Sequence, residues 1–148
     1  MDTRLKKTHP SLLPDGTKST CRCEAPGRLP GYGPVSVIDI GSNSVRLVVY
    51  ERLSRAPTML FNEKMLAGLG KGLAATGRMN QDSVDKALAA IRRFKLLAEQ
   101  SGSVEIYILA TAAARDAANG PEFLAAVERI CGVEVNLLSG ADEARLSE

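Results

Sequence analysis

The ten residues Val37-Ile38-Asp39-Ile40-Gly41-Ser42-Asn43-Ser44-Val45-Arg46 constrain the fold more than any other stretch of this chain. An apolar strand ends in an acid and turns through a glycine into small hydrogen-bonding side chains. The apolar residues Leu47, Val48 and Val49 follow at once, so the turn opens a second strand and not a helix. That excludes the P-loop, which also needs Gly-Lys-Ser/Thr, and the dinucleotide fingerprint, which opens a helix. A phosphate-binding β-hairpin remains. Asp39 can hold Mg²⁺ directly or through its waters, Gly41 allows close approach of the backbone to an anion, and Ser42, Asn43 and Ser44 can donate to phosphoryl oxygens. Turns favour such residues without any ligand, but a plain turn gives no reason for an acid within an apolar strand.

A chain of 148 residues with 45% hydrophobic content can bury a core of about one domain. The net charge of +2 comes from 19 basic and 17 acidic residues that interleave beyond the first 28 positions, so no nucleic-acid footprint is expected. No apolar run approaches the roughly 20 residues of a membrane span, and the first residues lack the apolar stretch of a signal peptide. The expected compartment is the cytoplasm. Cys21 and Cys23 form a C-x-C with only Cys131 and His9 as further thiol or imidazole ligands, short of the paired spacing of a structural zinc site. Cys131, among Val127, Ile130 and Val133, is expected to pack as a small hydrophobe.

Two regions follow from the pattern. Residues 1–34 carry five of the seven prolines and many basic residues without apolar periodicity, and read as a mobile arm. Residues 35–148 read as an α/β domain. Strands are expected over 35–40, 45–53 and 58–67, joined by short connections that suit antiparallel pairing. Gly68-Leu69-Gly70-Lys71-Gly72 lacks nucleotide-loop spacing and reads as a flexible connection, with Lys71 a weak phosphate candidate. Asn80 caps a helix whose stripe runs through Val84, Ala87, Leu88, Ile91, Phe94 and Ala98 to Ser101-Gly102. A strand over 104–110, expected to be covered on both faces, precedes a helix from near Pro121 to Gly132. A fifth strand over 133–138 leads to a third helix from Ser139. The order βββαβαβα places three antiparallel strands beside two parallel ones reached through helical crossovers.

Three segments then fall at one end of the sheet, since loops that follow parallel strands share an edge. They are the hairpin Asp39 to Ser44, the loop Thr111 to Asn119 with Arg115, and the segment with Glu143 and Arg145. Each has a plainer reading. Arg115 could pair with Asp116 or Glu122, Glu143 could serve the helix dipole, and Asn119 could cap its helix.

These residues resemble the exopolyphosphatase and guanosine pentaphosphate phosphohydrolase family, within the superfamily of acetate and sugar kinases, Hsp70 and actin. D-I-G-S-N-S at 39–44, A-T-A-A-A-R-D-A-A-N at 110–119 and S-G-x-x-E-A-R-L at 139–146 match three family motifs in order. D-x-G alone is common to the superfamily; G-S-N-S with the later E-A-R-L is far more specific. The resemblance covers about residue 35 to the end and implies a ribonuclease H-like first lobe. It implies that Asp39 organises Mg²⁺, that Gly41, Ser42, Asn43 and Ser44 cradle the terminal phosphoryl group, that Arg115 clamps phosphate oxygens, and that Glu143 activates water.

The substrate implied is inorganic polyphosphate or guanosine pentaphosphate, between which the residues do not choose. For the full-length enzyme the resemblance implies a homodimer. The family's second acidic glycine-rich loop, D-x-G-G-G-S, does not occur in these 148 residues, so the expectation is a first lobe that is nearly inactive alone. The alternatives are a non-catalytic phosphate- or nucleotide-binding module and a kinase-like transferase, the latter disfavoured by the E-A-R-L setting of Glu143.

Overall fold

The computed structural model describes residues 32–146; the expected arm, with His9, Cys21 and Cys23, lies outside the described residues except at its last three positions. The order along the chain is β1 (Val35–Ile40), β2 (Ser44–Tyr50), β3 (Met59–Leu66), α1 (Leu73–Thr76), α2 (Gln81–Gln100), β4 (Glu105–Ala110), α3 (Ala112–Asp116), α4 (Gly120–Cys131), β5 (Val135–Leu137) and α5 (Gly140–Leu146). The strands form one mixed sheet in the order β3-β2-β1-β4-β5. β1 pairs antiparallel with β2 and β2 with β3, whereas β4 runs parallel to β1 and β5 parallel to β4. This is the expected five-stranded lobe of ribonuclease H-like type, with two short helices, α1 and α3, inserted.

Alternation along the strands separates the two faces. Ile38 and Ile40 of β1, Val45, Leu47 and Val49 of β2 and Ile108 of β4 are buried in one core with residues of α2 and α4. Helix α2 forms because Asn80 accepts a hydrogen bond from the Asp82 amide at 2.9 Å and because its apolar positions recur on one face; Phe94 and Ile91 are fully buried. It stops at Ser101, with Gly102 beyond it in the left-handed region. Arg93 and Glu63, 2.7 Å apart, tie α2 to the edge strand β3. The opposite sheet face carries the row Lys64, Arg46, Asp39 and Leu109.

Several expectations need correction. β2 ends at Tyr50, and β3 and β5 are also shorter than expected. β4 is not covered on both faces: Glu105 and Tyr107 are exposed and hydrogen-bonded to each other. Residues 68–72 are not a loose connection. Leu69 is fully buried, and the backbone around it is bonded to the first hairpin. Cys131 is buried, as expected.

Candidate functional site

The hairpin between β1 and β2 is closed by the Gly41 amide, which donates to the Ser44 carbonyl at 3.0 Å. A Cβ at position 41 would lie 3.2 Å from that oxygen, which is why glycine suits this turn. Because the turn occupies its N–H, Gly41 offers an anion space more than a donor. Ser42 and Asn43 are exposed at the tip and Ser44 is half-buried. Ala67 and Gly68 donate to the Asn43 carbonyl at 3.1 and 2.9 Å, and Gly70 donates to the Ser42 carbonyl at 2.7 Å. The hairpin is therefore held from behind by the segment that follows β3, a link the sequence reading missed. The side-chain placement of Lys71 at the surface brings no contact that assigns it to the site.

The ends of the parallel strands meet beside this hairpin. Thr111 donates to the Ile40 carbonyl through its amide at 3.1 Å and its hydroxyl at 3.2 Å, and the Leu138 amide donates to the Ala110 carbonyl at 2.8 Å. The first of these bonds joins the end of β4 to the end of β1; the second joins the start of the last segment to β4. The Thr111 hydroxyl is a fixing contact that the motif contains but whose partner sequence alone does not show. Beyond Thr111 the expected loop is the short helix α3, which presents Arg115.

Arg115 has three partners. Its Nε lies 3.0 Å from Asp116 Oδ1, and its Nη1 donates to the Leu138 carbonyl at 2.9 Å and to Glu143 Oε1 at 3.2 Å. The hydrogen bond to Asp116 is the largest cause of a raised Arg115 pKa; partial loss of hydration opposes it, and Glu143 adds to it. Pairing with Asp116 thus coexists with a contact to Glu143, while Glu122 is not among the partners found. Glu143 sits one residue beyond Asp142, whose carboxylate accepts from the Ser139 amide and hydroxyl at 3.1 and 2.6 Å. The Ser139 hydroxyl in turn accepts from the Asp142 amide at 3.2 Å, a reciprocal cap that fixes the start of α5 and with it Glu143.

Asp39 stands at an exposed position near the end of β1 with its pKa raised. The largest cause is partial withdrawal from water; the Glu143 charge raises it further and the Arg46 charge opposes both. The Arg46 charge outweighs that of Glu143, so it is loss of hydration and not a deficit of positive charge that raises the Asp39 pKa. Among the described residues no group of three or more His, Cys, Asp or Glu gathers, so a cage made wholly of protein ligands is not formed. Mg²⁺ commonly needs only one or two carboxylates, with waters and phosphate oxygens completing its shell. Asp39 fits that pattern.

Asn119 does not cap its helix: at the start of α4 its side chain makes no capping bond. Instead its Oδ1 accepts from the Met79 amide at 2.9 Å and its Nδ2 donates to the Met79 carbonyl at 3.1 Å. The amide side chain thus behaves as a piece of backbone joining α4 to the entry of α2.

Comparison with known proteins bears on the family of the chain. Residues 47–148 match the model of the Ppx/GppA phosphatase family, a span that includes Arg115 and Glu143 and starts just after the hairpin. The chain is 34% identical over 114 residues to exopolyphosphatase 1 of Mycobacterium tuberculosis, covering 76% of this chain and 33% of that protein. The corresponding protein of Mycobacterium leprae is 32% identical over the same length, with 34% of it covered. Among solved structures, the Ppx/GppA family member of Aquifex aeolicus superimposes with a TM-score of 0.71 at 29% identity, over 76% of this chain and 37% of that one. An exopolyphosphatase from Cytophaga hutchinsonii gives 0.70 at 28% identity, over 76% and 36%. The chain spans about a third of the length of the curated relatives it matches. It belongs to the Ppx/GppA phosphatase family.

Proposed function

We propose that this lobe serves the hydrolysis of a terminal phosphoanhydride, from inorganic polyphosphate in the first instance and from the 5′ end of guanosine pentaphosphate as the second candidate. The observation that supports it most is the Arg115–Glu143 contact at 3.2 Å, formed where the ends of β4 and β5 meet the Asp39 hairpin. In this reading the hairpin residues Ser42, Asn43 and Ser44 hold the terminal phosphoryl group and Gly41 leaves room for it. Arg115 presents a planar fork to the phosphate oxygens. Glu143, held by α5 and by Arg115, takes the proton from water as it attacks phosphorus. The oxygen bridging the terminal phosphorus to the rest of the chain leaves with the bonding pair. Mg²⁺ held by Asp39 would neutralise phosphate charge. Phosphoryl transfer depends mainly on positioning and charge compensation, which this donor set can supply.

Polyphosphate takes precedence because the curated relatives at 34% and 32% identity are named exopolyphosphatases. The cytoplasm remains the proposed compartment; among the described residues no helix is long and apolar enough to cross a membrane. A homodimer is proposed for the enzyme at the length of its relatives. The test is phosphate release, measured colorimetrically with Mg²⁺, from long-chain polyphosphate and from guanosine pentaphosphate by the chain at the full length of its reading frame. Release from neither substrate refutes the proposal. The 148 residues alone are expected to turn over far below the ordinary enzyme range of about 1 to 10³ s⁻¹.

A further inference from the structure

Two consecutive carbonyls of the hairpin, those of Ser42 and Asn43, accept all three backbone bonds from the segment that follows β3. Peptide geometry gives this a directional consequence. The described peptide bonds are trans, and in a trans peptide the C=O of one residue and the N–H of the next point to opposite sides. Fixing the Ser42 and Asn43 carbonyls toward Ala67, Gly68 and Gly70 therefore turns the N–H groups of Asn43 and Ser44 the other way. The orientation of two candidate phosphate donors is set by the backbone of Ala67, Gly68 and Gly70 on the side opposite to them.

Gly70 is the narrowest point of this arrangement. A Cβ built there would lie 3.0 Å from the Ser42 Cβ and 3.4 Å from the Ser42 carbonyl oxygen. The first distance is tighter than a normal carbon–carbon contact of about 3.5–4.0 Å. The preceding residue, Leu69, is fully buried, so the segment cannot easily retreat. The hairpin tip, whose Ser42 and Asn43 are exposed, has more freedom to yield. A methyl at position 70 is thus relieved by displacement of Ser42 and rotation of the peptide plane that carries the Asn43 amide.

We propose that Gly70 is a positioning residue for the phosphate hairpin: its lack of a side chain lets the segment after β3 press against Ser42 and aim the Asn43 and Ser44 amides at the bound anion. The inference rests on the phosphate-binding reading of the hairpin. Its test is a titration of the 148-residue chain with inorganic tripolyphosphate and Mg²⁺, followed by ¹H–¹⁵N NMR at the amides of residues 41–44.

Gly70→Ala is expected to weaken binding about tenfold while amide shifts elsewhere in the sheet stay in place. The discriminating variant is Ser42→Gly, which removes the Cβ that the new methyl meets. In that background Gly70→Ala is expected to cost no more than about twofold, because the nearest remaining contact, the residue-42 carbonyl at 3.4 Å, is ordinary. A general loss of stability would act alike in both backgrounds, so the non-additivity reports the contact itself. Wild-type binding that Gly70→Ala leaves unchanged, or equal losses in both backgrounds, overturns the role of Gly70 alone. A wild-type chain with no response at residues 41–44 overturns the phosphate reading and this inference with it.

Discussion

Replacing Gly120 by alanine should be among the most damaging single-methyl additions to this lobe. A Cβ at position 120 would sit 2.0 Å from the Ala114 carbonyl oxygen and 3.1 Å from its carbon. Carbon and carbonyl oxygen meet at about 3.3 Å, so the first turn of α4 and the backbone of α3 must part by roughly 1.3 Å. Neither atom is the end of a movable side chain, and Ala114 is buried. Overpacking of this kind costs about 1–3 kcal/mol, and the better helix propensity of alanine, worth at most about 1 kcal/mol, offsets only part of it. A net loss of about 2 kcal/mol, out of the 5–15 kcal/mol typical of a domain, should lower the urea midpoint by roughly 1 M with the slope unchanged. Gly140→Ala is the control: nothing lies within 4 Å of a Cβ there, and its midpoint should hold. A Gly120→Ala midpoint within about 0.2 M of wild type would show that α3 and α4 separate freely. Because Ala114 directly precedes Arg115, the same displacement should move the guanidinium away from Glu143, so the loss of stability and the loss of site geometry should come together.

Asn119→Ala should cost about 1–3 kcal/mol, since it leaves the amide and carbonyl of buried Met79 without the partners at 2.9 and 3.1 Å; unchanged hydrogen exchange at the Met79 amide would contradict this. Asp39 has a raised pKa in the folded state, so its contribution to stability is fully present below the ordinary value near 3.8 and is lost as pH rises through the folded value. In Mg²⁺-free buffer Asp39→Asn should therefore raise the Tm at pH 7, with the advantage vanishing at pH 3; a Tm gain of the same size at both values refutes the linkage. At the full length of the reading frame, Glu143→Gln should lower kcat steeply, about 10²-fold or more, with KM for polyphosphate little changed, whereas Arg115→Ala should raise KM and lower kcat together. Near-normal kcat in Glu143→Gln would return Glu143 to a helix-start carboxylate.

The parts of the fold that could be read from sequence are those whose cause is local. The stripe from Val84 to Ala98 fixes α2 because six apolar positions on one face have only one way to be buried, and Asn80 caps it as expected. The hairpin at Gly41 is equally local, since the residue that limits the space, Ser44, is three positions away. Helices α1 and α3, of 4 and 5 residues, are too short for an apolar period to register. Asn119 was misread for a different reason. An asparagine before Gly-Pro at a helix start satisfies every local rule for a cap, and only the arrival of the Met79 backbone, 40 residues earlier in the chain, offers its amide two better partners. Gly70 is the same residue type as Gly41, but the atom it makes room for belongs to a residue 28 positions away, so nothing in its neighbourhood announced the need.

Arg115 shows how a structural partner and a proposed ligand role can belong to one side chain. In the sequence, pairing with Asp116 and contact with phosphate stand as alternatives for this side chain. In the folded lobe Asp116 engages Nε, while Nη1 reaches across to the Leu138 carbonyl and Glu143. The contacts to Asp116, the Leu138 carbonyl and Glu143 hold the guanidinium in place, so ordering it for a phosphate costs less side-chain entropy than ordering a free arginine. They also place a positive charge against Glu143, which steadies the carboxylate proposed as base. Phosphate oxygens entering the site would compete for the same donors and loosen the hold on Glu143 at the stage when that carboxylate must turn to water. Asp116→Asn should weaken the outer hold without touching Glu143. On this reasoning it should raise KM for polyphosphate, by disordering Arg115, and leave kcat nearly intact. An Asp116→Asn enzyme with normal KM and depressed kcat would mean that Asp116 acts in the chemical step and not through the placement of Arg115.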